Sequence, residues 1–293
     1  MNETSRPVRR WIQVLVCMLV AAIALSACHR DEPKPSAAAP TPSVSVAAAV
    51  PAIEQQKLMV FAASSLKEAF EEMALEFKKQ HPEAEVTFNF AGTQQLRTQL
   101  EQGAAADVFA SADQRHMKEL VSGGRVQSPR VLAENELISV VEKAQQGRVK
   151  GLADLPKLKR IVVGAPEVPV GKYTQVMLDN ASKTLGADFK KKVEAAVVSR
   201  ELNVRQVLAK VTLGEAEAGV VYRTDVTKPD PKLALIEIPK ESNVIAEYPI
   251  GVVNQAAHAG LAAAWVELAL SEVGQGILRA RGFLPAHAAE KAP

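Results

Sequence analysis

The amino-acid sequence predicts an α/β protein in which short strands alternate with helices. The segment KLMVFAASSLKEAFEEMALEF at 57–77 shows the pattern: an apolar run of strand length passes through Ser64-Ser65 into a segment whose apolar residues recur every three or four positions. This spacing is typical of a helix with one buried face. Similar units follow along the chain. Strands separated by helices of this length indicate parallel sheets covered on both faces.

The periodicity assigns the elements in chain order. In the first half it predicts strand 58–61, helix 66–79, strand 85–90, helix 93–102, strand 107–110, helix 113–122 and strand 137–141. In the second half it predicts strand 161–164, helix 172–184, strand 196–199, helix 203–213, strand 219–222, strand 248–253, and helices 260–270 and 272–280.

Several helix starts carry residues suited to an anion. Ser65 is placed to cap the first helix, and Glu68 completes a capping box. Thr93 and Asn203 are placed to cap two later helices, and Gly171 precedes another. A helix N-terminus exposes unsatisfied N–H groups and the positive end of the helix dipole. Each start taken alone is more often a simple cap, but four of them suit a small anion held between two lobes.

Composition excludes several classes of protein. The 293 residues, 47% of them hydrophobic, are enough for about two domains. Residues 1–27 carry Glu3 and three arginines, a net charge that equals the +2 of the whole chain, so the remainder is neutral. A neutral protein has no basic field for nucleic acid. Cys17 and Cys28 both precede the globular part, which therefore has no disulfide framework.

The N-terminal segment reads as an export signal. Arginines precede an apolar run from Trp11 to Ala24, which is short for a permanent membrane span. The run ends in Leu25-Ser26-Ala27-Cys28, which resembles the lipobox of bacterial lipoproteins. We predict a signal peptide at 1–27 and lipidation at Cys28; the alternative is cleavage elsewhere. Residues 28–56 are predicted to form a tether, because fifteen of the twenty residues at 33–52 are Pro, Ala or Ser.

Catalytic and metal sites are less well supported. Ser65 lies in FAASSL, which is not a G-x-S-x-G elbow, and neither His81 nor His116 lies in a motif typical of a general base. The histidines show no i,i+4 pairing that would indicate a metal site. Asp107 and Asp113, in ADVFASAD, are interpreted as residues that cap helices and tie loops. We therefore expect no enzyme and no directly ligated metal.

Five segments in order carry a resemblance to a known family: VFAASSLKEAF, FAGTQQLRTQLEQGAAADVFASAD, VGAPEVPVGKY, GEAEAGVVYRTDV and EYPIGVV. Together they resemble the periplasmic molybdate-binding proteins of ABC transporters (ModA family), over about residues 57–285. The resemblance implies a type II periplasmic binding protein fold, with two α/β lobes and a ligand cleft between them. Lobe I would comprise 57–138 plus 248–287, lobe II 139–247, with hinges near 137–140 and 247–250 and a tail at 288–293.

The resemblance also implies an oxyanion site. The family's ligand positions fall on Ser65 (hydroxyl and N–H), Thr93 (where a serine is usual), Val170 and Val204 (backbone N–H) and Tyr222 (phenol). Such a site offers only donors, so it accepts a deprotonated oxyanion and penalises a protonated one. Lys172 and Arg205 lie next to these donors; they are either solvated residues at the rim or contributors to steering.

The function implied by the resemblance is capture of molybdate or tungstate outside the cytoplasm and delivery to an ABC permease and its ATPase. No cofactor is expected. We expect a monomer attached to a membrane through Cys28. The alternatives are a binding protein for sulfate, phosphate or a small organic acid and, from another class, a serine hydrolase.

Overall fold

The computed structural model describes residues 56–286. The predicted signal peptide, Cys28, nearly all of the tether and the predicted tail at 288–293 lie outside these described residues.

Strands and helices alternate through this range. The strands are β1 (Gln56–Ala63), β2 (Ala84–Ala91), β3 (Val108–Ala110), β4 (Val126–Glu142), β5 (Ile161–Gly164), β6 (Val197–Glu201), β7 (Ala218–Tyr222), β8 (Leu233–Ile236) and β9 (Ile245–Val253). The α-helices are α1 (Lys67–Gln80), α2 (Thr93–Glu101), α3 (Gln114–Ser122), α4 (Pro169–Leu185), α5 (Phe189–Ala195), α6 (Val204–Thr212), α7 (Ala259–Leu270) and α8 (Glu272–Ala280).

The strands form two connected sheets in the order β2-β1-β3-β9-β4-β7-β5-β6, with β8 also beside β4. Strand β1 is parallel to β2 and β3, and β5 is parallel to β6 and β7, as the alternation with helices predicts. The pairs that involve β4 and β9 are antiparallel. The sheets are therefore mixed rather than purely parallel, because β4 and β9 run antiparallel to the strands beside them.

Strand β4 belongs to both sheets. Its first part, from Val126 to Glu136, pairs with β9, and from Leu137 onward it pairs with β7 and then β8. The Asn243 side chain accepts from the Leu137 N–H at 3.2 Å and donates to the Leu137 carbonyl at 2.9 Å. This point, where the chain leaves one sheet and enters the other, falls within the predicted hinge segment at 137–140.

Three elements were not predicted from the sequence, because each is either irregular or too short to show a period. The first part of β4 contains Pro129, two register shifts and a positive φ of 45° at Ser128, so its alternation of burial is broken. Helix α5 has seven residues and β8 has four, both too short for a reliable period.

Helix α1 is fixed against the core by aromatic contacts. Phe70 and Phe77 meet Trp265 of α7 edge-on, with ring centroids 5.5 and 5.4 Å apart. These three side chains are fully buried. The packing holds the start of α1, and with it Ser65, in a defined position.

No single helix within residues 56–286 has the length and apolar character needed to cross a bilayer. Among the described residues one pair of helices, α7 and α8, bent by 59°, passes that test when taken together, by length and composition alone.

Candidate functional site

All five residues predicted to bind an oxyanion line one small cavity. They are Ser65, Thr93, Val170, Val204 and Tyr222. The rest of the lining is small, apolar or uncharged: Ala63, Ser64, Ala91, Gly92, Ala112, Val168, Pro169 and Asn203. No charged side chain from the described part of the chain lines this cavity.

The cavity lies where four helices begin. Ser65 belongs to a 3-10 turn, Ser64–Leu66, that runs directly into α1. Thr93 and Val204 are the first residues of α2 and α6, and Val170 is the second residue of α4. N–H groups in the first turn of a helix have no acceptor within that helix. The cavity is therefore bordered by free donors and by the positive ends of helix dipoles.

Ser65 does not cap α1, so the capping-box prediction is wrong. The N-cap residue is Leu66, without a side-chain hydrogen bond, because the 3-10 turn places Ser65 inside the helical segment. Glu68 forms an ion pair with Arg205 instead of closing the box. The buried Ser65 hydroxyl lies 2.9 Å from the Oη of Tyr248 on β9. Its position is thus set by a distant strand.

Thr93 does not cap α2 either. Gly92 occupies the N-cap position, and its N–H donates to the Gln95 side chain at 3.1 Å. The Thr93 Oγ1 instead accepts a hydrogen bond from the Ala112 N–H at 3.1 Å. Since that bond uses a lone pair, the hydroxyl proton of Thr93 is still available as a donor.

The other two helix starts differ in how well the sequence describes them. Asn203 caps α6, as predicted, by accepting from the Gln206 N–H at 3.1 Å. Helix α4 begins at Pro169, three residues earlier than predicted, so Gly171 lies within its first turn. A Cβ atom at Gly171 would lie 2.0 Å from the Ala165 carbonyl oxygen. Glycine there allows α4 to pack tightly on the end of β5.

Tyr222 ends β7 and is fully buried, and its Oη has no hydrogen-bond partner among the described residues. Burial, with smaller contributions from Tyr248 and Tyr173, raises the pKa of the Tyr222 phenol well above its ordinary value. The group is therefore protonated at neutral pH and is a donor. A buried hydroxyl without a partner costs stability, so its presence at the cavity fits a ligand that completes the bond.

Arg205 is engaged in ion pairs rather than free to bind an anion. It pairs with Glu68 of α1 and, at 3.2 Å, with the Asp225 carboxylate. Burial raises the pKa of Asp225 to about 6, although the Arg205 charge acts in the opposite direction. Arg205 lines a neighbouring cavity of about 500 Å³ that shares Ser65 with the first. Lys172 is exposed and lines neither cavity.

Hydrogen bonds beside the cavity join helices α2 and α3 to the segments that follow β6 and β5. The Gln94 Nε2 donates to the Leu202 carbonyl at 2.7 Å, and the Glu167 carbonyl accepts from the Arg115 side chain at 2.7 Å. A Cβ atom at Gly92 would lie 2.1 Å from the Leu202 oxygen. The two sides of the cavity are therefore in direct contact.

The acidic residues of ADVFASAD are structural, as interpreted from the sequence. Asp113 caps α3 by accepting from the His116 N–H at 3.0 Å. Asp107 accepts from the Met59 N–H at 2.8 Å and the His258 N–H at 3.1 Å, which ties the segment before β3 to strand β1 and to the start of α7. Within residues 56–286, no group of three or more His, Cys, Asp or Glu side chains is arranged to hold a metal ion.

Two residues near the site were missed by the sequence analysis. Tyr248 and Asn135 are both fully buried, and they lie behind Ser65 on β9 and β4. The sequence carried little signal for Asn135, because it lies between Glu134 and Glu136, directly before the apolar run that begins at Leu137.

Comparisons with known proteins identify the family of this chain. Residues 58–284 match the family model described as bacterial extracellular solute-binding protein. The molybdate-binding protein ModA of Mycobacterium tuberculosis is 34% identical over 94% of this chain and 98% of its own length. The putative ABC transporter substrate-binding lipoprotein YvgL of Bacillus subtilis is 31% identical over 77% of this chain and 85% of its own.

A solved structure, the substrate-binding domain of a putative molybdenum ABC transporter from Clostridium difficile, superposes with a TM-score of 0.60. It is 32% identical and covers 79% of this chain and 99% of its own. The chain therefore belongs to the bacterial extracellular solute-binding protein family, within the group of relatives that includes the molybdate-binding protein ModA.

Proposed function

We propose that this chain captures molybdate, or the similar tungstate, outside the cytoplasm and delivers it to an ABC transporter. The observation that carries the proposal is the cavity itself: five residues offering hydroxyl or backbone N–H donors line one space without a charged side chain. It occurs in a chain 34% identical, over 94% of its length, to a molybdate-binding protein.

The donor set suits a small dianion. The oxygens of a deprotonated tetrahedral oxyanion are acceptors only, and bonds from N–H and O–H groups to a charged acceptor are stronger than those between neutral groups. Helix dipoles at the four starts compensate part of the charge. An anion that carries its own O–H would bring a donor to a site made of donors, so it would bind less well.

We propose that the chain forms two lobes, lobe I at 57–138 plus 248–287 and lobe II at 139–247. On this division Ser65 and Thr93 come from lobe I, whereas Val170, Val204 and Tyr222 come from lobe II. An anion that bonds to both sets favours the closed state over the open one. The crossing of β4 near Leu137 and the pairing of β4 with β9 support hinges at 137–140 and 247–250.

The partners follow from the class of relatives. YvgL is named as a substrate-binding lipoprotein of an ABC transporter, and the C. difficile structure as a substrate-binding domain of one. We infer that a permease with its ATPase recognises the closed form and that this chain acts as a monomer.

Binding without catalysis is part of the proposal. Ser65 contacts the Tyr248 phenol, and burial raises the pKa of that phenol well above its ordinary value. A protonated phenol cannot act as the general base that a serine nucleophile requires.

The test is a thermal-shift titration of the mature domain with molybdate, tungstate, sulfate and phosphate. Molybdate and tungstate at micromolar levels are expected to raise the unfolding midpoint, because a ligand that binds only the folded state stabilises it by mass action. Small-angle scattering of the same samples checks closure, with a smaller radius of gyration expected in the presence of molybdate.

Stabilisation by sulfate or phosphate alone would assign a different ligand to the same fold. A radius of gyration that does not change at saturating molybdate would contradict the hinge but leave the ligand assignment standing.

A lipid anchor at Cys28 completes the proposed location, an extracytoplasmic protein held at a membrane. Support comes from Leu25-Ser26-Ala27-Cys28 after an apolar segment and from the relative named as a lipoprotein. Mass spectrometry of the membrane fraction is expected to find Cys28 as a modified N-terminus, and a Cys28→Ala variant should appear in the soluble fraction. An unmodified N-terminus beyond Cys28 would rule the anchor out.

A further inference from the structure

We propose that Asn135 and Tyr248 form a hydrogen-bond relay, a chain of hydrogen bonds that runs from Asn135 through Tyr248 to Ser65. This relay makes the Ser65 hydroxyl a hydrogen-bond donor toward the ligand. Asn135 and Tyr248 are therefore positioning residues that determine specificity. The inference rests on the proposed oxyanion function and deepens it, because it explains how a hydroxyl that can both donate and accept is restricted to one role. Neither residue lines the cavity.

The relay is short and buried. The Asn135 Nδ2 lies 2.8 Å from the Thr224 Oγ1 and 3.4 Å from the Tyr248 Oη, and the Tyr248 Oη lies 2.9 Å from the Ser65 Oγ. Asn135 and Tyr248 are fully buried, and Ser65 and Thr224 nearly so. The bond between Asn135 and Tyr248 is therefore shielded from solvent.

The direction of the relay is set at Asn135. The Asn135 Oδ1 accepts from the Glu136 N–H at 2.9 Å, and this bond fixes which end of the amide faces Tyr248. The other end is an NH₂ group, which has two hydrogens and only donates. One hydrogen is directed to Thr224 and the other to Tyr248. The Tyr248 oxygen is therefore an acceptor on the Asn135 side.

The single proton of Tyr248 is then directed to Ser65. Burial keeps this phenol protonated, since it raises the pKa well above the ordinary value. With its acceptor side facing Asn135, Tyr248 donates to the Ser65 Oγ. The serine oxygen accepts that bond, and its own proton is left to donate to an anion in the cavity that Ser65 shares with the other four candidate ligands.

The other two hydroxyls among the five candidate ligands, those of Thr93 and Tyr222, are held as donors by different means. Thr93 accepts from the Ala112 N–H, and Tyr222 is a protonated phenol without another partner among the described residues. Ser65 is the hydroxyl whose role depends on a side-chain relay. If the relay is reversed, Ser65 turns its proton away from the cavity and offers a lone pair, which suits a protonated oxyanion instead.

The test is a double-mutant cycle on molybdate affinity, measured by isothermal titration calorimetry. An Asn135→Asp change has nearly the same shape but replaces the NH₂ donor with a carboxylate oxygen. Tyr248 would then donate to the carboxylate and accept from Ser65. Ser65→Ala is expected to lower molybdate affinity about 10-fold in the wild type, and to have almost no effect in the Asn135→Asp background.

A purely structural role for Asn135 predicts a different outcome, namely the same cost of Ser65→Ala in both backgrounds, and that result would overturn the relay. Tyr173→Phe is the matched control. It removes another phenol, close to Tyr222 and beside the Glu247 backbone, but Tyr173 does not itself line the cavity and has no hydrogen bond to Ser65 among the described residues. In this control the cost of Ser65→Ala should equal that in the wild type.

A second variant covers the case in which Asn135→Asp does not fold. Tyr248→Phe keeps the ring and removes only the hydroxyl, so Ser65 becomes free to donate or accept. The ratio of molybdate affinity to hydrogen phosphate affinity is expected to fall about 10-fold. An unchanged ratio would overturn the relay. Wild-type protein that binds no molybdate would instead refute the proposed function, so the two failures are distinguishable.

Discussion

Replacing Tyr222 with phenylalanine is expected to lower molybdate affinity by about 10- to 100-fold, the cost of one hydrogen bond to a charged acceptor. The Oη of Tyr222 is fully buried at the cavity and has no partner among the described residues, so a bound anion is the acceptor that fits it. Calorimetric titration with molybdate measures the loss directly.

The Tyr222→Phe variant is not expected to be less stable than the wild type. A buried hydroxyl without a partner costs free energy in the ligand-free protein, so its removal should leave the unfolding midpoint unchanged or slightly higher. Lower affinity with undiminished stability separates a ligand contact from a folding defect. The Tyr173→Phe variant should retain wild-type affinity. If Tyr222→Phe bound molybdate as tightly as the wild type, the phenol would not be a ligand.

Replacing Val204 with proline is expected to lower molybdate affinity by a similar factor, about 10- to 100-fold, by deleting a backbone donor. Val204 is the first residue of α6, where proline is well tolerated. The preceding Asn203 has φ −160° and ψ 166°, an extended conformation that a residue before proline prefers. The proline ring carbon takes the place of the amide hydrogen, so the change acts at the proposed contact with the anion.

The matched variant is Val204→Ala, which keeps the N–H and removes most of a buried side chain. It should cost about 1–3 kcal/mol of unfolding free energy but leave molybdate affinity near the wild-type value. Urea unfolding measures the unfolding free energy of both variants, and calorimetry measures their molybdate affinity. A Val204→Pro protein that is folded and binds at full strength would show that the Val204 N–H does not contact the ligand.

Asp225 illustrates why charge near a site is not the same as charge in it. Its carboxylate accepts from the Tyr222 N–H at 3.1 Å and pairs with Arg205, which also pairs with Glu68. Arg205 is therefore compensated on two sides, and it braces the segment after β7 against α1. From the sequence only its distance from Val204 was visible, so both a steering role and a solvated position at the rim remained open.

The sequence was informative wherever a residue's role depends on its own segment. The three-four periodicity identified the buried faces of α1, α2 and α6, and Asn203 was correctly predicted as a cap because the acceptor of Gln206 N–H lies three residues away. The five candidate ligands also came from local motifs, carried over by resemblance. Their common cavity is a property of the structure.

The hydrogen-bond partners of the Ser65 and Thr93 hydroxyls were predicted poorly, because these partners lie outside the segments that carry the hydroxyls. Ser65 and Thr93 each stand where a capping residue is common, but both hydroxyls bond to residues that are distant in sequence, Tyr248 and Ala112. A local pattern contains no information about such a partner. The 17-residue length of β4 was also hidden, since its bulged first part pairs with β9 and lacks regular alternation.

The sequence by itself determined the order of most strands and helices, the buried faces of the longer helices and the helix starts that offer free N–H groups. Only the tertiary structure decided that these starts converge on one cavity, that Arg205 is compensated, and that Asn135 and Tyr248 lie behind Ser65. The physical reason is range: helix periodicity and capping are set by neighbours within a few residues, whereas the Ser65–Tyr248 bond joins positions 183 residues apart, which only the packing of the sheets brings together.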